Sequence, residues 1–270
     1  MTLPVAIQDR TALRDIQCHA PHALIIQGEE GLATRQVAEQ IAVSAPSDII
    51  RLMPQDDKST ISTEQVRDTI AKLRTYATTR RVIIIDPADA MTEPAQNALL
   101  KALEEPGANT HFLLITSHRS QLLATIQSRC QSLTLHRTSP AQDATLLADT
   151  TLTPAERQQI LFLAGGRPAH ILQLATQPKL FADYQAIAAD AKLILTRAGR
   201  YDALAVLPRY QSDRQQALRL IDILLRFIKV QIAAGKTDRS LCAIHDKALY
   251  AEKLLAANGQ VRLALLQLVV

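Results

Sequence analysis

The stretch Val82-Ile83-Ile84-Ile85-Asp86 is a continuous apolar run that ends on a carboxylate. A short run of this kind is typical of a strand buried on both faces of a parallel sheet. Four more runs repeat the pattern with helical stretches between them: Ala23–Gln27, Ile49–Leu52, His111–Thr116 and Ser132–His136. Strands that alternate with helices indicate βαβ units. The sequence therefore predicts an α/β domain with a five-stranded parallel sheet.

Beyond residue 137 the strand pattern stops and capped helices follow. Ser139–Gln142 and Thr153–Glu156 each combine an N-cap hydroxyl, a proline at the first helical position and a capping-box acceptor. Ser62 with Gln65, and Thr92 ahead of Pro94, mark earlier helix starts in the same way. We expect an α/β domain over 1–137, a small helical domain over 138–178 and longer helices over 179–270.

The helical segment 213–234 has apolar residues on most of its circumference. Its apolar face contains Leu218, Ile221, Leu225, Ile228 and Ile232. Its narrow polar stripe contains Arg219, Asp222, Arg226 and Lys229. Such broad apolar cover predicts burial on most sides, either inside a helical bundle or between subunits. Both alternatives stay open.

The loop after the first strand lies where nucleotide-binding proteins carry the phosphate loop GxxxxGK[ST]. In that motif backbone N–H groups surround the phosphates, the lysine reaches the β- and γ-phosphates, and the hydroxyl binds Mg²⁺. Here the loop is Gly28-Glu29-Glu30-Gly31-Leu32-Ala33-Thr34-Arg35. Ala33 replaces the second glycine, Thr34 the lysine and Arg35 the hydroxyl residue. We therefore expect no bound cofactor; the alternative, with Arg35 acting as a displaced lysine, is disfavoured by Glu29 and Glu30.

The residues after the Val82–Ile85 strand also depart from ATPase chemistry. An ATPase needs an aspartate there for Mg²⁺ and usually a glutamate that polarises the attacking water. Asp86 is present, but Pro87 stands at the glutamate position. We therefore interpret Asp86 and Asp89 as turn residues and expect no ATP hydrolysis by this chain.

No structural metal site is expected either. Cys18, Cys130 and Cys242 lie far apart, and the seven histidines show no HExxH spacing.

The most specific residues lie between about 80 and 136. They are Arg80–Pro106, which contains Asn97-Ala98-Leu99-Leu100-Lys101 and Glu104-Glu105-Pro106, then Leu114-Ile115-Thr116-Ser117 and Ile126–Gln131, which contains Ser128-Arg129-Cys130. Together these stretches resemble the clamp-loader branch of the AAA+ ATPases, and weaker similarity covers almost the whole chain. The resemblance implies a RecA-like AAA+ domain, a helical lid and a C-terminal helical collar for oligomerisation, which correspond to the three expected segments.

Two departures from the family pattern accompany the altered loop. Many relatives carry a four-cysteine zinc module after the first helix of the α/β domain, whereas here Ser44–Ser47 leads directly into the second strand. The arginine that relatives carry near the Gly–Pro turn of the lid corresponds to His170, with Arg167 displaced. Both departures suit a subunit that holds no nucleotide.

The resemblance assigns a role to Arg129. In the family the Ser-Arg-Cys arginine is a finger that acts in trans on the ATP site of the neighbouring subunit. The structural alternative is a surface arginine ahead of a strand. Cys130 is interpreted as a small buried residue and not as a reactive thiol. Arg67 lies in a region resembling the one that follows the backbone of duplex DNA, and its structural alternative is a solvated helix residue.

The resemblance further implies a non-catalytic subunit of a bacterial clamp loader. Its partners would be gamma/tau-like motor subunits and a delta-like subunit, with the sliding clamp as an indirect partner and primer-template DNA inside the complex. One alternative is an active clamp-loader ATPase, which requires Thr34 and Arg35 to be compatible with ATP. Another is an AAA+-derived nucleic-acid-binding regulator outside replication.

Charge and hydropathy set weaker limits. A net charge of +4 permits a nucleic-acid partner without establishing one, and aromatic residues at 3% argue against a stacking platform for single strands. The charged residues of the first fifteen positions fit no signal peptide, and the longest apolar runs are too short to span a bilayer. The expectation is a cytoplasmic protein without a membrane partner.

Overall fold

The computed structural model describes residues 4–55, 58–73, 79–196, 205–236, 238–257 and 259–268. The chain divides into two compact units, Met1–Asp149 with Gly166–Leu172, and Thr150–Gly165 with Gln173–Val270. The expected domain boundaries after residues 137 and 178 stay a prediction.

The first unit is built on a five-stranded parallel sheet, which confirms the predicted α/β class. The strands follow the order β2-β3-β4-β1-β5. Their bounds are Ala23–Gln27 (β1), Ser47–Leu52 (β2), Arg80–Ile85 (β3), Thr110–Thr116 (β4) and Gln131–Thr134 (β5). β3 begins two residues before the apolar run because its pairing with β2 extends to Ser47 opposite Arg80.

Helices cover both faces of this sheet. The helices of the first unit are Asp9–Cys18 (α1), Thr34–Val43 (α2), Thr63–Leu73 (α3), Glu93–Glu104 (α4), Ala124–Gln127 (α5) and Pro140–Leu146 (α6). Those that pack on the sheet are α1 to α5. Successive strand residues point to opposite faces: Ile25 and Ile83 pack with residues of α3 and α4, whereas Leu24 and Ile84 pack with residues of α1 and α2. Burial of both faces explains why the strands appear as unbroken apolar runs in the sequence.

The predicted helix starts are confirmed at their caps. The Thr92 side chain accepts from the Ala95 N–H, and reciprocal capping boxes join Ser139 to Gln142 and Thr153 to Glu156. Each box satisfies backbone donors that a helix start leaves without partners. The local sequence therefore sets these boundaries.

The second unit consists of helices. Within the described residues the α-helices that lie wholly in this unit are Pro154–Ala164 (α7), Pro178–Thr196 (α9), Arg214–Ala233 (α10), Arg239–Ala256 (α11) and Val261–Leu266 (α12). Helix Pro168–Thr176 (α8) begins in the first unit and ends in the second.

The segment 213–234 forms helix α10, but two of its residues differ from expectation. Arg226 was expected on a polar stripe and is buried, because it donates to the Phe162 and Leu163 carbonyls at the end of α7 and pairs with Asp222 at 2.7 Å. Ile232 was expected on the covered face and is 38% exposed. A buried guanidinium that caps another helix cannot be distinguished from a solvated one by helical periodicity alone.

Across the described ranges, no helix combines the length and the apolar character needed to cross a lipid bilayer.

Candidate functional site

The loop between β1 and α2 has two residues in the left-handed region of the backbone. Gly31 has φ +91° and Ala33 has φ +66°, so both lie in the left-handed region. Glycine enters that region without strain, whereas an alanine there costs roughly 1 kcal/mol. Ala33 therefore holds a conformation suited to the glycine that it replaces.

The start of α8 lies against this loop. The Gly31 carbonyl accepts from the Ala169 N–H at 3.0 Å and from the His170 N–H at 3.4 Å. A Cβ on Gly31 would lie 3.0 Å from the His170 Cβ and 3.2 Å from the Arg167 Cβ. The first turn of α8 thus closes one side of the loop, and His170 is buried there.

Glu29 holds two arginines that a phosphate could otherwise attract. Its Oε2 accepts from Arg137 Nη2 at 2.6 Å and lies 3.3 Å from Arg167 Nη2. Partial burial opposes ionisation of Glu29, but hydrogen bonds and charge attraction from both arginines outweigh it, so its pKa lies below the usual value. One carboxylate thus engages both arginines beside the loop.

Arg35 and Asp86 form an ion pair. Arg35 Nε lies 2.5 Å from Asp86 Oδ2, and the carboxylate is buried while the arginine side chain is 63% exposed. Arg35 stands at the hydroxyl position of the loop motif, and Asp86 stands after β3, where an ATPase carries its metal-binding aspartate. A charged side chain therefore lies directly on the carboxylate that Mg²⁺ uses in an ATPase.

Asp89 and Thr116 have structural partners near the same ends of the strands. Asp89 lies in the 3-10 turn Ala88–Ala90, with its Oδ2 3.2 Å from His118 Nδ1. Buried Thr116 accepts the His118 N–H through its hydroxyl at 3.0 Å. The contact of Asp89 fits its interpretation as a turn residue, and the hydroxyl of Thr116 caps the turn that follows β4. Among the described residues, no cluster of three or more His, Cys, Asp or Glu side chains could hold a metal ion.

Arg129 follows the one-turn helix α5 and is partly exposed. Its Nη2 lies 2.5 Å from Glu104 Oε1, and its Nη1 donates to the Thr125 carbonyl at 2.9 Å. Ser128 Oγ accepts from the same Nη1 at 3.4 Å. The guanidinium is therefore anchored at the surface between α5 and the end of α4.

Helix α5 is too short to be stable alone, and Gln127 holds it in place. The Gln127 amide donates to the Arg119 carbonyl at 3.1 Å and to the Leu122 carbonyl at 2.8 Å. Its Oε1 accepts from Arg119 Nε at 3.0 Å. These bonds fix the turn from which Arg129 projects.

The structure separates Arg129 from the loop of its own chain. Gly28 follows the carboxyl end of β1, whereas Arg129 precedes the amino end of β5. The two strands are parallel neighbours, with Leu24 opposite Gln131 and Gln27 opposite Thr134. The loop therefore lies at the carboxyl ends of the strands and Arg129 at their amino ends. β5 is an outer strand of the sheet.

Cys130, next to Arg129, lies against the core formed with α3 and α4. Burial raises the pKa of its thiol to about 11, an effect only partly offset by the charge of Arg119. The thiol is consequently neutral near pH 7 and is a weak nucleophile.

Arg67 is exposed on α3 and borders a groove of about 730 Å³ between α3 and α4. Asp68, Lys101 and Glu105 also line the groove, so its charged residues are of both signs.

Two of the residues that surround these sites were missed in the sequence. Glu104 was interpreted as the end of a helix, and Glu29 only as a source of negative charge. Their partners lie 25 and 108 residues away along the chain. The sequence shows only that each motif contains a glutamate. It does not show which arginine that glutamate contacts.

Comparison with known proteins gives consistent similarities. The family described as "DNA polymerase III, delta subunit" matches residues 39–139. The delta' subunit of DNA polymerase III from Yersinia pestis is 30% identical over 231 residues, which are 78% of this chain and 64% of that protein. The Pseudomonas aeruginosa delta' subunit is 32% identical over 175 residues, 54% of this chain and 53% of that protein. The chain thus spans between about half and two thirds of the length of these relatives.

A solved structure shares the fold. The crystal structure of a DNA polymerase III gamma subunit-related protein from Thermotoga maritima superimposes with a TM-score of 0.61 at 19% identity, covering 97% of both chains.

Proposed function

We propose, from the membership of this chain in the family of DNA polymerase III delta-prime subunits with their AAA+ fold, that it is a non-catalytic clamp-loader subunit. In this proposal it supplies Arg129 to the ATP site of a neighbouring subunit during sliding-clamp loading.

The observation that carries the proposal is the position of Arg129. It lies at the amino ends of the strands, next to outer strand β5, whereas the Gly28–Arg35 loop lies at their carboxyl ends. An arginine there cannot serve the loop of its own chain, but it can meet a ligand held by an adjacent subunit. The Thr125 carbonyl and Glu104 hold its guanidinium near the surface.

The chemistry required of Arg129 suits a guanidinium. Phosphoryl transfer spreads negative charge over the oxygens of the transferring group, and an arginine supplied in trans stabilises that charge. The guanidinium stays charged at all relevant pH values and presents two parallel N–H donors to phosphate oxygens.

The loop geometry supports the non-catalytic part of the proposal. A phosphate-binding site needs a free cation and a carboxylate open to Mg²⁺. In this chain Arg35 pairs with Asp86, and Glu29 pairs with Arg137 and Arg167. A nucleotide would have to displace charged side chains from their partners without gaining the lysine or the hydroxyl of the motif.

The remaining parts of the proposal rest on the family. The partners are gamma/tau-like motor subunits and a delta-like subunit, in a cytoplasmic complex that also holds primer-template DNA and acts on the sliding clamp. The chain contributes an AAA+ domain over 1–137, a lid over 138–178 and an assembly collar over 179–270. Exposed Val230, Ile232 and Tyr250 are candidates for collar contacts.

The decisive experiment is Arg129→Ala in a reconstituted complex. We expect an intact complex whose DNA- and clamp-stimulated ATPase falls partially, because only the site that abuts this chain loses its finger. Arg51→Ala is the matched control, since Arg51 is also a partly exposed arginine paired with a glutamate, Glu39, at 2.7 Å. Wild-type ATPase from the Arg129→Ala complex would overturn the proposed role.

The same preparations separate the alternative functions. ATP hydrolysis by this chain alone would support an active ATPase. Failure to join any complex with clamp-loader motor subunits would support a regulator outside replication.

A further inference from the structure

Glu104 has a position that the proposed function does not by itself explain. It lies in the last turn of α4, 25 residues before Arg129 in sequence, and contacts the guanidinium directly at 2.5 Å. Neighbouring Glu105 closes the helix through its N–H to the Lys101 carbonyl at 3.1 Å. The negative end of a helix adds to the attraction of a carboxylate for a cation. Arg129 thus lies at the C-terminal end of α4, the end of a helix that favours positive charge.

The contact and the finger role compete for the same donors. Arg129 Nη2 lies against Glu104, whereas a fork-like approach to phosphate needs that nitrogen together with a second one. With Nη2 on the Glu104 carboxylate and Nη1 on the Thr125 carbonyl, fewer of the five guanidinium N–H donors remain for a phosphate. The negative charge of Glu104 would also repel a polyphosphate brought beside it.

We propose that Glu104 is a resting counter-ion for Arg129, which the phosphates of the neighbouring subunit's ATP displace. This inference rests on the proposed trans role of Arg129. It makes Glu104 a positioning residue that keeps the finger at the surface of the free subunit and makes its engagement conditional on nucleotide.

The contact is weak enough to be exchanged. Arg129 and Glu104 side chains are 35% and 48% exposed, so water screens their attraction. Exposed pairs of this kind change an equilibrium by about two- to fivefold. Loss of the Glu104 charge should therefore favour the engaged state of the finger by a factor in this range.

The test is Glu104→Gln in a reconstituted complex in which only the motor subunit adjacent to this chain keeps a functional ATP site. We expect the ATP concentration for half-maximal ATPase to fall about two- to fivefold, with kcat unchanged. Glu105→Gln is the matched control, because it removes an equal charge from the neighbouring residue, and it should leave the ATP dependence as in wild type. In an Arg129→Ala background, Glu104→Gln should have no effect.

The outcomes distinguish the two proposals. If Arg129→Ala lowers the ATPase but Glu104→Gln leaves the ATP dependence unchanged, the counter-ion role fails while the finger role stands. A lower kcat in Glu104→Gln would also overturn the counter-ion role of Glu104, since Glu104 would then support the state in which Arg129 contacts the phosphates. If Arg129→Ala has no effect, the proposed function itself fails.

A measurement on the isolated chain checks the resting contact separately. In ¹⁵N NMR spectra, the Arg129 side-chain N–H groups should show restricted rotation in wild type and in Glu105→Gln, and faster rotation in Glu104→Gln. Equal rotation in all three proteins would contradict a resting contact.

Discussion

Arg35 Nε lies 2.5 Å from Asp86 Oδ2, so the residue at the hydroxyl position of the phosphate-loop motif pairs with the aspartate after β3, where an ATPase binds Mg²⁺. Mg²⁺ needs oxygen ligands in near-octahedral geometry and keeps much of its water. A guanidinium on the carboxylate offers no oxygen ligand and repels a divalent cation. In the proposed non-catalytic role, arginine at position 35 would thus remove one part of a metal site and block another.

We predict that the isolated chain binds no MgATP at micromolar concentrations. The reason is the joint absence of the loop lysine and hydroxyl, together with the Arg35–Asp86 pair. Arg35→Ala should not create binding, because it frees Asp86 without restoring the lysine. Equilibrium dialysis with a clamp-loader motor subunit as positive control measures this, and micromolar binding by the wild-type chain would contradict it.

Arg129→Lys should rescue the neighbouring ATP site only in part. Lysine keeps the charge but cannot present parallel donors to phosphate oxygens. We expect the abutting site to work at least about tenfold more slowly than in wild type, equivalent to about 1.4 kcal/mol of transition-state stabilisation. Single-turnover hydrolysis in complexes with one functional site measures the rate, and full activity of the lysine variant would exclude fork-like recognition.

Gly165→Ala should destabilise the second unit strongly. Gly165 has φ +57°, and an added Cβ would lie 1.8 Å from Arg226 Nη1, whose hydrogen bonds cap α7. Moving this buried guanidinium away leaves buried carbonyls without their donor, and with the backbone strain we expect a loss of about 2–4 kcal/mol.

Gly235→Ala provides the control for that prediction. Gly235 has φ +79°, but among the described residues nothing lies within 4 Å of an added Cβ. It should cost only the left-handed strain, about 1 kcal/mol. Urea denaturation of both variants measures the difference, and equal midpoints would show that the contact between Gly165 and Arg226 is unimportant.

Cys130 should react with thiol reagents much more slowly than Cys18 or Cys242. The latter two are exposed, whereas burial raises the pKa of Cys130 to about 11. A raised pKa leaves the thiol protonated as the pH increases past the ordinary value of 9.0, so thiolate forms only near pH 11. Alkylation by iodoacetamide at pH 8, followed by mass spectrometry, should label Cys130 last. Labelling of all three at equal rates would contradict the burial argument.

Arg67→Ala should weaken binding of the complex to primer-template DNA if Arg67 contacts a phosphate. Each lost phosphate contact reduces the magnitude of the negative slope of log K against log salt concentration by about 0.9. Exposed Arg10 on α1 offers a control substitution with the same change of charge. A DNA affinity and salt slope equal in wild type, Arg67→Ala and Arg10→Ala would favour a solvated Arg67, which the mixed charges of its groove also permit.

Much of the fold could be predicted from the sequence because the signals are local. The run Val82–Ile85 is buried on both faces, and the boxes at Ser139 and Thr153 are closed by residues three positions away. The residue at each loop position from Gly28 to Arg35 is found by counting, but the loss of ATPase chemistry inferred from these residues stays a prediction. Arg226 was misplaced because helical periodicity reports the face of a residue and not the neighbour that covers it.

The sequence by itself thus determined the parallel sheet, the helix starts and the residue types at each motif position. Only the tertiary structure decided which charges neutralise one another: Arg35 with Asp86, Glu29 with Arg137, and Arg129 with Glu104. These pairs join residues 51, 108 and 25 positions apart. Their formation depends on strand order and helix packing, because Coulomb attraction depends on the distance between two charges in space and not on their separation along the chain.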